Sequence, residues 1–202
     1  MKIVLIRHGE TPGNALGQYI GRTDEPLSPA GIEQARCAGG DIALDAVYVT
    51  PLRRTQETAA ILFPNAAQTV IPDLREMDFG DFEGRSAADM AEDADYRAWV
   101  EAWCVPPCPG GESKDGFAAR VVPAFAEAVH ASERAGADRA VFVVHGGTIM
   151  AILATLARPE RAFYEWHTKN CRGYVCETAP AEDGARVPFL LRDVQPLETI
   201  VL

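Results

Sequence analysis

The chain has 202 residues, of which 48% are hydrophobic and 24% are charged, a composition that is ordinary for a folded globular protein. Its formal net charge of −10 argues against binding to nucleic acid or to a membrane surface through bulk charge, although a small anionic ligand needs only a local cationic pocket. No apolar run approaches the ~20 residues of a membrane span. The N-terminus "MKIVLIRHG" lacks the pattern of a signal peptide, so we expect a cytoplasmic protein.

The first predicted element is a strand over residues 2–6, a short β-branched run of the kind that is buried in parallel sheets. Similar runs follow at 46–50 and 140–144. Weaker strand patterns occupy four further segments, of which the last two are candidates for edge strands: 68–72, 173–177, 188–192 and 198–202.

Helical patterns lie between the predicted strands. The first helix begins after Ser28, a favourable N-cap, and stops at Gly39–Gly40. Three more helical patterns cover 51–63, 115–136 and 147–158. This alternation of strands and helices predicts a layered α/β fold around a mostly parallel sheet.

One segment, at about 80–116, breaks the alternation, because it is acidic and then rich in Trp, Pro and Gly. We interpret it as a helical insertion or lid over the carboxyl ends of the strands, where ligands bind in such folds. No repeat or low-complexity tract divides the chain, so we expect a single domain over residues 1–202.

Two polar residues, Arg7 and His8, follow the first predicted strand at its carboxyl end. A lone histidine in such a place is more often structural. Here Gly9 follows and permits a turn that brings both side chains into one pocket and lets a ligand approach the backbone. Asn14 lies close enough along the chain to contribute a hydrogen-bond donor.

The strand at 140–144 ends in the same way, with His145 followed by Gly146 at the start of a predicted helix. A helix N-terminus presents free N–H groups and a partial positive charge, which suits an anion. Two strand-end histidines, an arginine and a helix N-terminus together predict a compact phosphate pocket.

Cations also open the helix after the second predicted strand, where "TPLRRTQETA" places Arg53 and Arg54. The helix macrodipole opposes cations at this end, so each arginine needs a partner. The partner is either a neighbouring carboxylate or a phosphate, which a guanidinium grips with two hydrogen bonds.

Four carboxylates follow in "LREMDFGDFEG": Glu76, Asp78, Asp81 and Glu83. We expect three of them to lie in a solvated loop and one to reach the pocket as a general acid that protonates a leaving oxygen. A neighbouring anion would raise the pKa of that carboxyl and keep it protonated when substrate binds.

The five cysteines form an odd count without a C-x-x-C pair or zinc-ligand spacing, so we expect reduced thiols and no metal site.

Taken together, "RHGET" with Asn14, "TPLRRTQETA", "REMDFGDFEG", "PGGES" and "VVHGGT" resemble, in order and spacing, the histidine phosphatase superfamily, also called phosphoglycerate mutase-like. The resemblance covers residues 1 to about 177. It implies a three-layer α/β/α sandwich with a mostly parallel central sheet. Thr50 stands where many members have serine, and we expect no loss of chemistry from that difference.

The resemblance also implies a mechanism. His8 is the nucleophile that takes the phosphoryl group, and Glu76 is the acid and base. The catalytic and phosphate-binding set is completed by Arg7, Asn14, Arg54, His145 and Gly146. No metal or cofactor is implied, because arginines and histidines supply the positive charge. His8 must be unprotonated, and we expect nearby carboxylates or phosphate to raise its pKa above the reference value of ~6.5.

Within the superfamily, the middle segment looks most similar to the bacterial alpha-ribazole phosphatases of cobalamin nucleotide-loop assembly, although Phe82 replaces their usual Trp. The implied substrate is alpha-ribazole 5′-phosphate or adenosylcobalamin 5′-phosphate. Alternatives are a broad-specificity or sugar-phosphate phosphatase of the fructose-2,6-bisphosphatase type and, with weaker support, a phosphoglycerate mutase. A module that binds phosphorylated ligands without catalysis would be expected to have lost a member of the site.

Partners are therefore expected to be small phosphorylated metabolites, without nucleic acid or membrane, and the chain to be a monomer or a homodimer. Trp99 and Trp103 are one helical turn apart and are either a core-facing pair or an aromatic wall for a heterocyclic substrate. By resemblance, Glu112 and Ser113 of "PGGES" are expected to line the mouth of the pocket.

Overall fold

The computed structural model describes residues 1–39, 44–181 and 188–200. The strands in these residues are β1 (Lys2–Arg7), β2 (Ala46–Val49), β3 (Ala67–Val70), β4 (Arg139–Val144), β5 (Gly173–Ala179) and β6 (Leu190–Leu197). The helices are α1 (Pro12–Ala15), α2 (Pro29–Ala38), α3 (Arg53–Leu62), α4 (Ala94–Glu101), α5 (Lys114–Arg134) and α6 (Gly146–Leu156). Short 3₁₀ turns occupy Pro72–Leu74, Gly80–Phe82 and Phe163–Trp166.

The six strands form one sheet in the order β3-β2-β4-β1-β5-β6. The pairs from β3 to β1 are parallel, and β5 and β6 are added antiparallel to the β1 side. The prediction of a mostly parallel central sheet is confirmed.

Side chains of β1 alternate between the two faces of the sheet, as a strand's period of two requires. Ile3 and Leu5 pack in one buried cluster with apolar residues of α5 and α6. Val4 and Ile6 pack in a second cluster with residues of α2 and α3. Helices therefore cover both faces, which makes the predicted three-layer α/β/α sandwich.

The register of the parallel strands brings their carboxyl ends together. Arg7 pairs with Val144, and the His8 N–H donates to the Val144 carbonyl oxygen at 3.0 Å. His145, which follows Val144, is therefore a neighbour of His8, and the two ring centroids are 5.2 Å apart. Thr50, directly after β2, lies at the same edge, because Tyr48 of β2 pairs with Phe142 of β4.

The segment at 80–116 contains one regular α-helix, α4, and a loop in which Trp103 and Cys104 have positive φ. Its buried side chains Phe82, Tyr96 and Trp99 belong to the same apolar cluster as Ile3 of β1. This packing supports an insertion within a single domain, which over the full length of the chain stays a prediction.

The tail differs from the expectation of two strands at 188–192 and 198–202. One strand, β6, pairs with β5, residues 198–200 lie outside any strand, and 201–202 lie outside the described residues. Because β6 is the edge of the sheet, its middle is polar and largely exposed and tolerates Pro196, so its sequence does not read as a strand. Gly40, part of the predicted stop of the first helix, also lies outside the described residues.

Candidate active site

A cavity of about 380 Å³ opens at the carboxyl ends of β1 and β4, a size that suits a small metabolite. Five residues of the predicted site line it: Arg7, His8, Asn14, Glu76 and Gly146. Arg54 and His145 are not among the lining residues, because they lie one layer behind His8.

His8 is held in one tautomer. Its Nδ1 lies 2.6 Å from the carbonyl oxygen of Gly9, which can only accept, so Nδ1 carries the proton and donates. The lone pair is then on Nε2, the nitrogen left for chemistry. Burial, then the charges of Arg54 and Arg7, hold the pKa of His8 well below its ordinary value. The expectation that carboxylates raise this pKa is wrong, because burial and the two arginines lower it.

Gly9 has a packing role that differs from the predicted turn. Its backbone is not in the left-handed region. A Cβ at this position would lie 2.7 Å from the carbonyl oxygen of Gly31 in α2. Glycine is therefore required because the loop after β1 and the N-terminal turn of α2 touch backbone to backbone.

Arg7 faces the cavity with part of its guanidinium unused. Its Nη1 donates to the carbonyl oxygen of Thr168 at 2.8 Å, which fixes the side chain. Its Nε–H is buried and has no partner within the described residues. Such orphaned donors are rare in folded proteins, and this one can bind an oxygen of an anionic ligand in the cavity.

His145 is fully buried, and both of its ring nitrogens are engaged. Arg54 Nε, which can only donate, lies 3.2 Å from Nδ1, so Nε2 carries the proton and donates to Thr50 Oγ1 at 3.0 Å. Burial, then the charge of Arg54, lowers the pKa of His145 well below its ordinary value and keeps the ring neutral. Its direct contact with a phosphate stays a prediction.

The two arginines that open α3 have different surroundings. Arg53 is exposed and pairs with Glu57 at 2.9 Å, so its partner is the neighbouring carboxylate. Arg54 is fully buried, and its Nη groups donate to the carbonyl oxygens of Thr23 and Gly21, each at 2.7 Å. Arg54 therefore places a buried positive charge behind the histidines and holds the loop that follows α1.

Glu76 lines the cavity with both carboxylate oxygens oriented by backbone N–H groups. Met77 donates to Oε1 at 3.0 Å, and Gly147, in the first turn of α6, donates to Oε2 at 2.9 Å. Burial raises the pKa of Glu76, although these hydrogen bonds and the charges of Arg54 and Arg7 oppose the shift. Part of the helix N-terminus predicted for phosphate is thus occupied by a carboxylate, which the same dipole attracts.

The expectation that the other carboxylates of this run are merely solvated is wrong for two of them. Glu83 Oε1 accepts hydrogen bonds from the N–H groups of Gly21 and Thr23, both at 2.9 Å. Asp78 accepts from the Gly80 N–H at 2.9 Å and pairs with Arg22 at 3.1 Å. Both therefore fix loops around the cavity.

Asn14 lines the cavity close to His8. Its Oδ1 accepts from the Thr11 N–H and from Asn170 Nδ2, each at 3.3 Å, so its own amide hydrogens remain as donors. Asn170 also donates to the His8 carbonyl oxygen at 2.9 Å. Sequence reasoning missed Asn170, which is 162 positions from His8 and sits in no motif.

The cavity also has an aromatic wall. Seven rings make this wall, and most of them were not candidate site residues: Tyr19, Phe79, Tyr96, Trp99, Phe117, Phe163 and Tyr164. Trp99 is buried, and its Nε1 donates to the Pro106 carbonyl oxygen at 3.0 Å. Trp103 is 76% exposed and does not line the cavity, so the two tryptophans are neither a core-facing pair nor a shared wall. The positive φ of Trp103 ends the helical spacing on which that interpretation depended.

Lys114 also lines the cavity, with its Nζ 5.4 Å from the centroid of the Phe163 ring. Glu112 and Ser113, which precede it, do not line the cavity. Ser113 instead caps α5 by accepting from the Gly116 N–H, and Glu112 pairs with Arg120. The expectation that Glu112 and Ser113 form the mouth of the pocket is wrong.

Within residues 1–39, 44–181 and 188–200, no group of three or more His, Cys, Asp or Glu side chains could hold a metal ion. All five cysteines lie within these ranges and are unpaired. No helix in the described part of the chain is long and apolar enough to cross a membrane.

Known proteins resemble this chain in both sequence and fold. A family model described as histidine phosphatase superfamily (branch 1) matches residues 3–187. The adenosylcobalamin/alpha-ribazole phosphatase of Escherichia coli K12 is 35% identical over 181 residues, which is 86% of this chain and 87% of that one. A 2,3-bisphosphoglycerate-dependent phosphoglycerate mutase of Methylorubrum populi is 32% identical over 167 residues, 76% and 78% of the two chains. The crystal structure of the alpha-ribazole phosphatase from Shigella flexneri aligns with a TM-score of 0.80 at 28% identity, over 100% of this chain and 99% of that chain.

The matched range runs from β1 past β5 and contains every residue of the predicted site, from Arg7 to Gly146. The cavity at the carboxyl ends of the parallel strands holds a neutral histidine, an arginine and a carboxyl of raised pKa. The prediction of a phosphatase is confirmed, and the chain belongs to the histidine phosphatase superfamily, branch 1.

Proposed function

We propose that this chain hydrolyses a phosphomonoester through a phosphohistidine on His8. The lone pair on His8 Nε2 attacks phosphorus in line with the leaving oxygen, the P–N bond forms, and the P–O bond to the leaving group breaks. The neutral state and single tautomer of His8 support this role, because only an unprotonated Nε2 can attack.

Glu76 is the proposed general acid of this first step. Its carboxyl gives its proton to the leaving oxygen, and the raised pKa of Glu76 supports a carboxyl that still holds that proton. In the second step water attacks phosphorus, Glu76 accepts the water proton, the P–N bond breaks, and His8 returns to its starting state. No metal or cofactor takes part in either step.

The phosphoryl oxygens are the proposed ligands of the donors around His8. Arg7 offers its unpaired Nε–H, and Asn14 offers its amide hydrogens. Gly146 lies at the cavity wall, where a Cβ would stand 3.4 Å from Arg7 Nε and crowd an oxygen bound there. Arg54 acts from behind, by adding positive charge and by lowering the pKa of His8, and the neutral ring of His145 accepts a hydrogen bond from Arg54 Nε.

For the substrate we propose alpha-ribazole 5′-phosphate, in which a benzimidazole riboside carries the phosphate. The single observation that supports it is the lining of the cavity, which combines charged and polar groups, His8 among them, with a wall of aromatic rings. Aromatic side chains stack on heterocycles and exclude water from them. The similarity to alpha-ribazole phosphatases of Escherichia coli and Shigella flexneri supports the same substrate.

A phosphoglycerate mutase is the second candidate, because the relative from Methylorubrum populi carries that name. A small carboxylated substrate would leave the aromatic wall unused and would require cations for its carboxylate and phosphate. Apart from Arg7 near His8, the lysine or arginine that lines the cavity within the described residues is Lys114. This composition favours the hydrolase.

A substrate screen of the purified chain tests the proposal. The substrates are alpha-ribazole 5′-phosphate, 3-phosphoglycerate, fructose 2,6-bisphosphate and an aryl phosphate, each assayed for phosphate release and for phosphoryl transfer. We expect the highest kcat/KM for alpha-ribazole 5′-phosphate, with chelator present. Equal kcat/KM for all four would demote that substrate in favour of a broad-specificity phosphatase, and isomerisation of 3-phosphoglycerate would favour the mutase.

A further inference from the structure

Arg120 lies on α5, outside the cavity, and uses every N–H that a guanidinium has. Nε and Nη2 donate to the two carboxylate oxygens of Glu112 at 2.7 and 2.8 Å. Nη1 donates to the carbonyl oxygens of Asp73 at 2.8 Å and Arg75 at 3.0 Å. Nη2 also donates to the carbonyl oxygen of Glu76 at 2.9 Å. One planar group thus binds three carbonyls of the run that carries Glu76.

Glu112 completes the arrangement on the other side of Glu76. Its Oε2 accepts from the Asp78 N–H at 3.0 Å, and its own N–H donates to the Asp78 carbonyl oxygen at 2.9 Å. Burial raises the pKa of Glu112, but the hydrogen bonds from Arg120 and Asp78 outweigh burial, and the pKa lies below its usual value. The backbone from 73 to 78 is therefore held on both sides of Glu76 by a single ion pair.

This pair differs from the Arg134–Glu127 ion pair, which lies on α5. The side chains of Arg120 and Glu112 are 15% and 24% exposed, whereas those of Arg134 and Glu127 are 65% and 72% exposed. A desolvated ion pair often adds little stability over apolar packing. Its distinctive contribution is geometry, because the guanidinium fork fixes the distances between the groups that it binds.

We propose that Arg120 is a positioning residue for Glu76, with Glu112 as its partner. The pair holds the backbone on either side of Glu76, so that the carboxyl meets the leaving oxygen of a substrate whose phosphorus is in line with His8. This inference rests on the proposed role of Glu76 as general acid.

Leaving groups that differ in their need for a proton test the inference. In the first step the P–O bond breaks, and the proton of Glu76 goes to the leaving oxygen. An alkoxide needs that proton to leave, whereas p-nitrophenolate leaves without it. The ratio of kcat/KM for an alkyl phosphate and for p-nitrophenyl phosphate therefore reports the position of Glu76, since general damage to the fold lowers both values.

We expect Arg120→Met to lower kcat/KM for the alkyl phosphate by about 10- to 100-fold, because a small displacement of a catalytic group costs about that much. The value for p-nitrophenyl phosphate should change little. Arg120→Lys keeps the charge but loses the fork, so it should behave like Arg120→Met. Arg134→Met, the same change on an exposed part of α5, is the matched control and should leave both values unchanged.

Circular dichroism melting will show whether Arg120→Met folds. If it does not, Glu112→Gln removes the charge of the other partner, and kcat/KM for the two substrates is compared in that variant instead. Equal losses on both substrates, or a full rescue by Arg120→Lys, would overturn the inference. Glu76→Gln separates the two proposals. A selective loss on the alkyl phosphate in Glu76→Gln but not in the Arg120 variants removes the inference alone, whereas equal losses in Glu76→Gln remove the proposed acid as well.

Discussion

At the scale of single residues, the chemistry depends on which nitrogen of His8 holds a proton. The Gly9 carbonyl oxygen requires Nδ1–H, and burial together with Arg54 and Arg7 lowers the pKa of His8. A lowered pKa means that the ring stays neutral at pH values where an exposed histidine would already be charged. This state suits the proposed nucleophile, because a neutral ring needs no separate base to free Nε2.

The first prediction follows from the direction of this shift. In an NMR titration we expect the His8 imidazole to remain neutral as the pH falls through 6.5, the ordinary value for histidine, and to protonate only below it. A His8→Asn variant assigns the resonance. Protonation of His8 with a midpoint above 6.5 in the free enzyme would contradict the arrangement described for the pocket.

A second prediction concerns the hydroxyl behind His145. Thr50 Oγ1 accepts hydrogen bonds from His145 Nε2–H and from the Leu52 N–H, and both Thr50 and His145 are fully buried. Thr50→Val keeps the shape but leaves the His145 N–H unpaired, so it should lower the free energy of unfolding by about 1–3 kcal/mol. Thr50→Ser keeps the hydroxyl and should match the wild type in urea unfolding. Equal stability of the valine and serine variants would show that the hydrogen bonds of the Thr50 hydroxyl contribute nothing.

At the scale of elements, the loop after β1 is held against α2 by a contact that tolerates no side chain. Gly31 is the third residue of α2, and a Cβ there would lie 2.0 Å from the carbonyl oxygen of Glu10. Ser28 caps this helix and also donates to Glu10 Oε1 at 2.9 Å. The backbone that follows His8 is therefore supported by the first turn of α2.

We predict that Gly31→Ala destabilises the protein by about 1–3 kcal/mol, because backbone must move to admit the methyl group. Gly116 is the matched control, since it holds the same position after the N-cap Ser113 in α5 and meets only the Ser113 hydroxyl. Gly116→Ala should stay within about 1 kcal/mol of the wild type, because alanine favours a helix. Urea unfolding measures both, and equal effects would rule out the close contact.

The aromatic wall belongs to the same scale, because it joins the loop after α1, α4 and the turn before β5. Tyr164 is 48% exposed and lines the cavity, so it can be truncated with little effect on the core. We expect Tyr164→Ala to weaken binding of alpha-ribazole 5′-phosphate by about 1–3 kcal/mol, the usual value of one aromatic stack on a base.

The KM for 3-phosphoglycerate should change little in Tyr164→Ala, and Trp103→Ala, an exposed ring outside the cavity, should leave both KM values unchanged. An equal rise in KM for both substrates after Tyr164→Ala would mean that the aromatic wall does not discriminate between substrates by the group that carries the phosphate.

At the scale of the whole molecule, the sheet and the grouping of Arg7, His8 and His145 could be predicted because these residues sit in short runs with strong local patterns. Arg7 and His8 follow a strand directly, and so does His145, which places them at one edge of a parallel sheet. The aromatic wall of the cavity could not be predicted in the same way. Tyr19 and Tyr96 are 77 positions apart, yet their hydroxyl oxygens lie 2.9 Å apart in the fold.

The roles of supporting groups were also hidden, because they depend on which atoms meet across the fold. The resemblance implies Glu112 at the mouth of the pocket, but the fold pairs it with Arg120 and packs the pair against the Glu76 backbone. The pKa of His8 was expected in the wrong direction, because the burial of His8 and the position of Arg54 near it are both tertiary features. Local sequence patterns do not predict which charged groups from distant parts of the chain meet in the fold.

Trapping the intermediate tests the central claim most directly. The wild-type chain is mixed with an aryl phosphate in the presence of a chelator and quenched in alkaline denaturant, which preserves a P–N bond, and its peptides are mapped by mass spectrometry. We predict a phosphoryl group on His8 that forms and decays within turnover, and no such group and no turnover in His8→Ala. Turnover at the wild-type rate in His8→Ala, or a phosphoryl group on any other residue, would contradict the account.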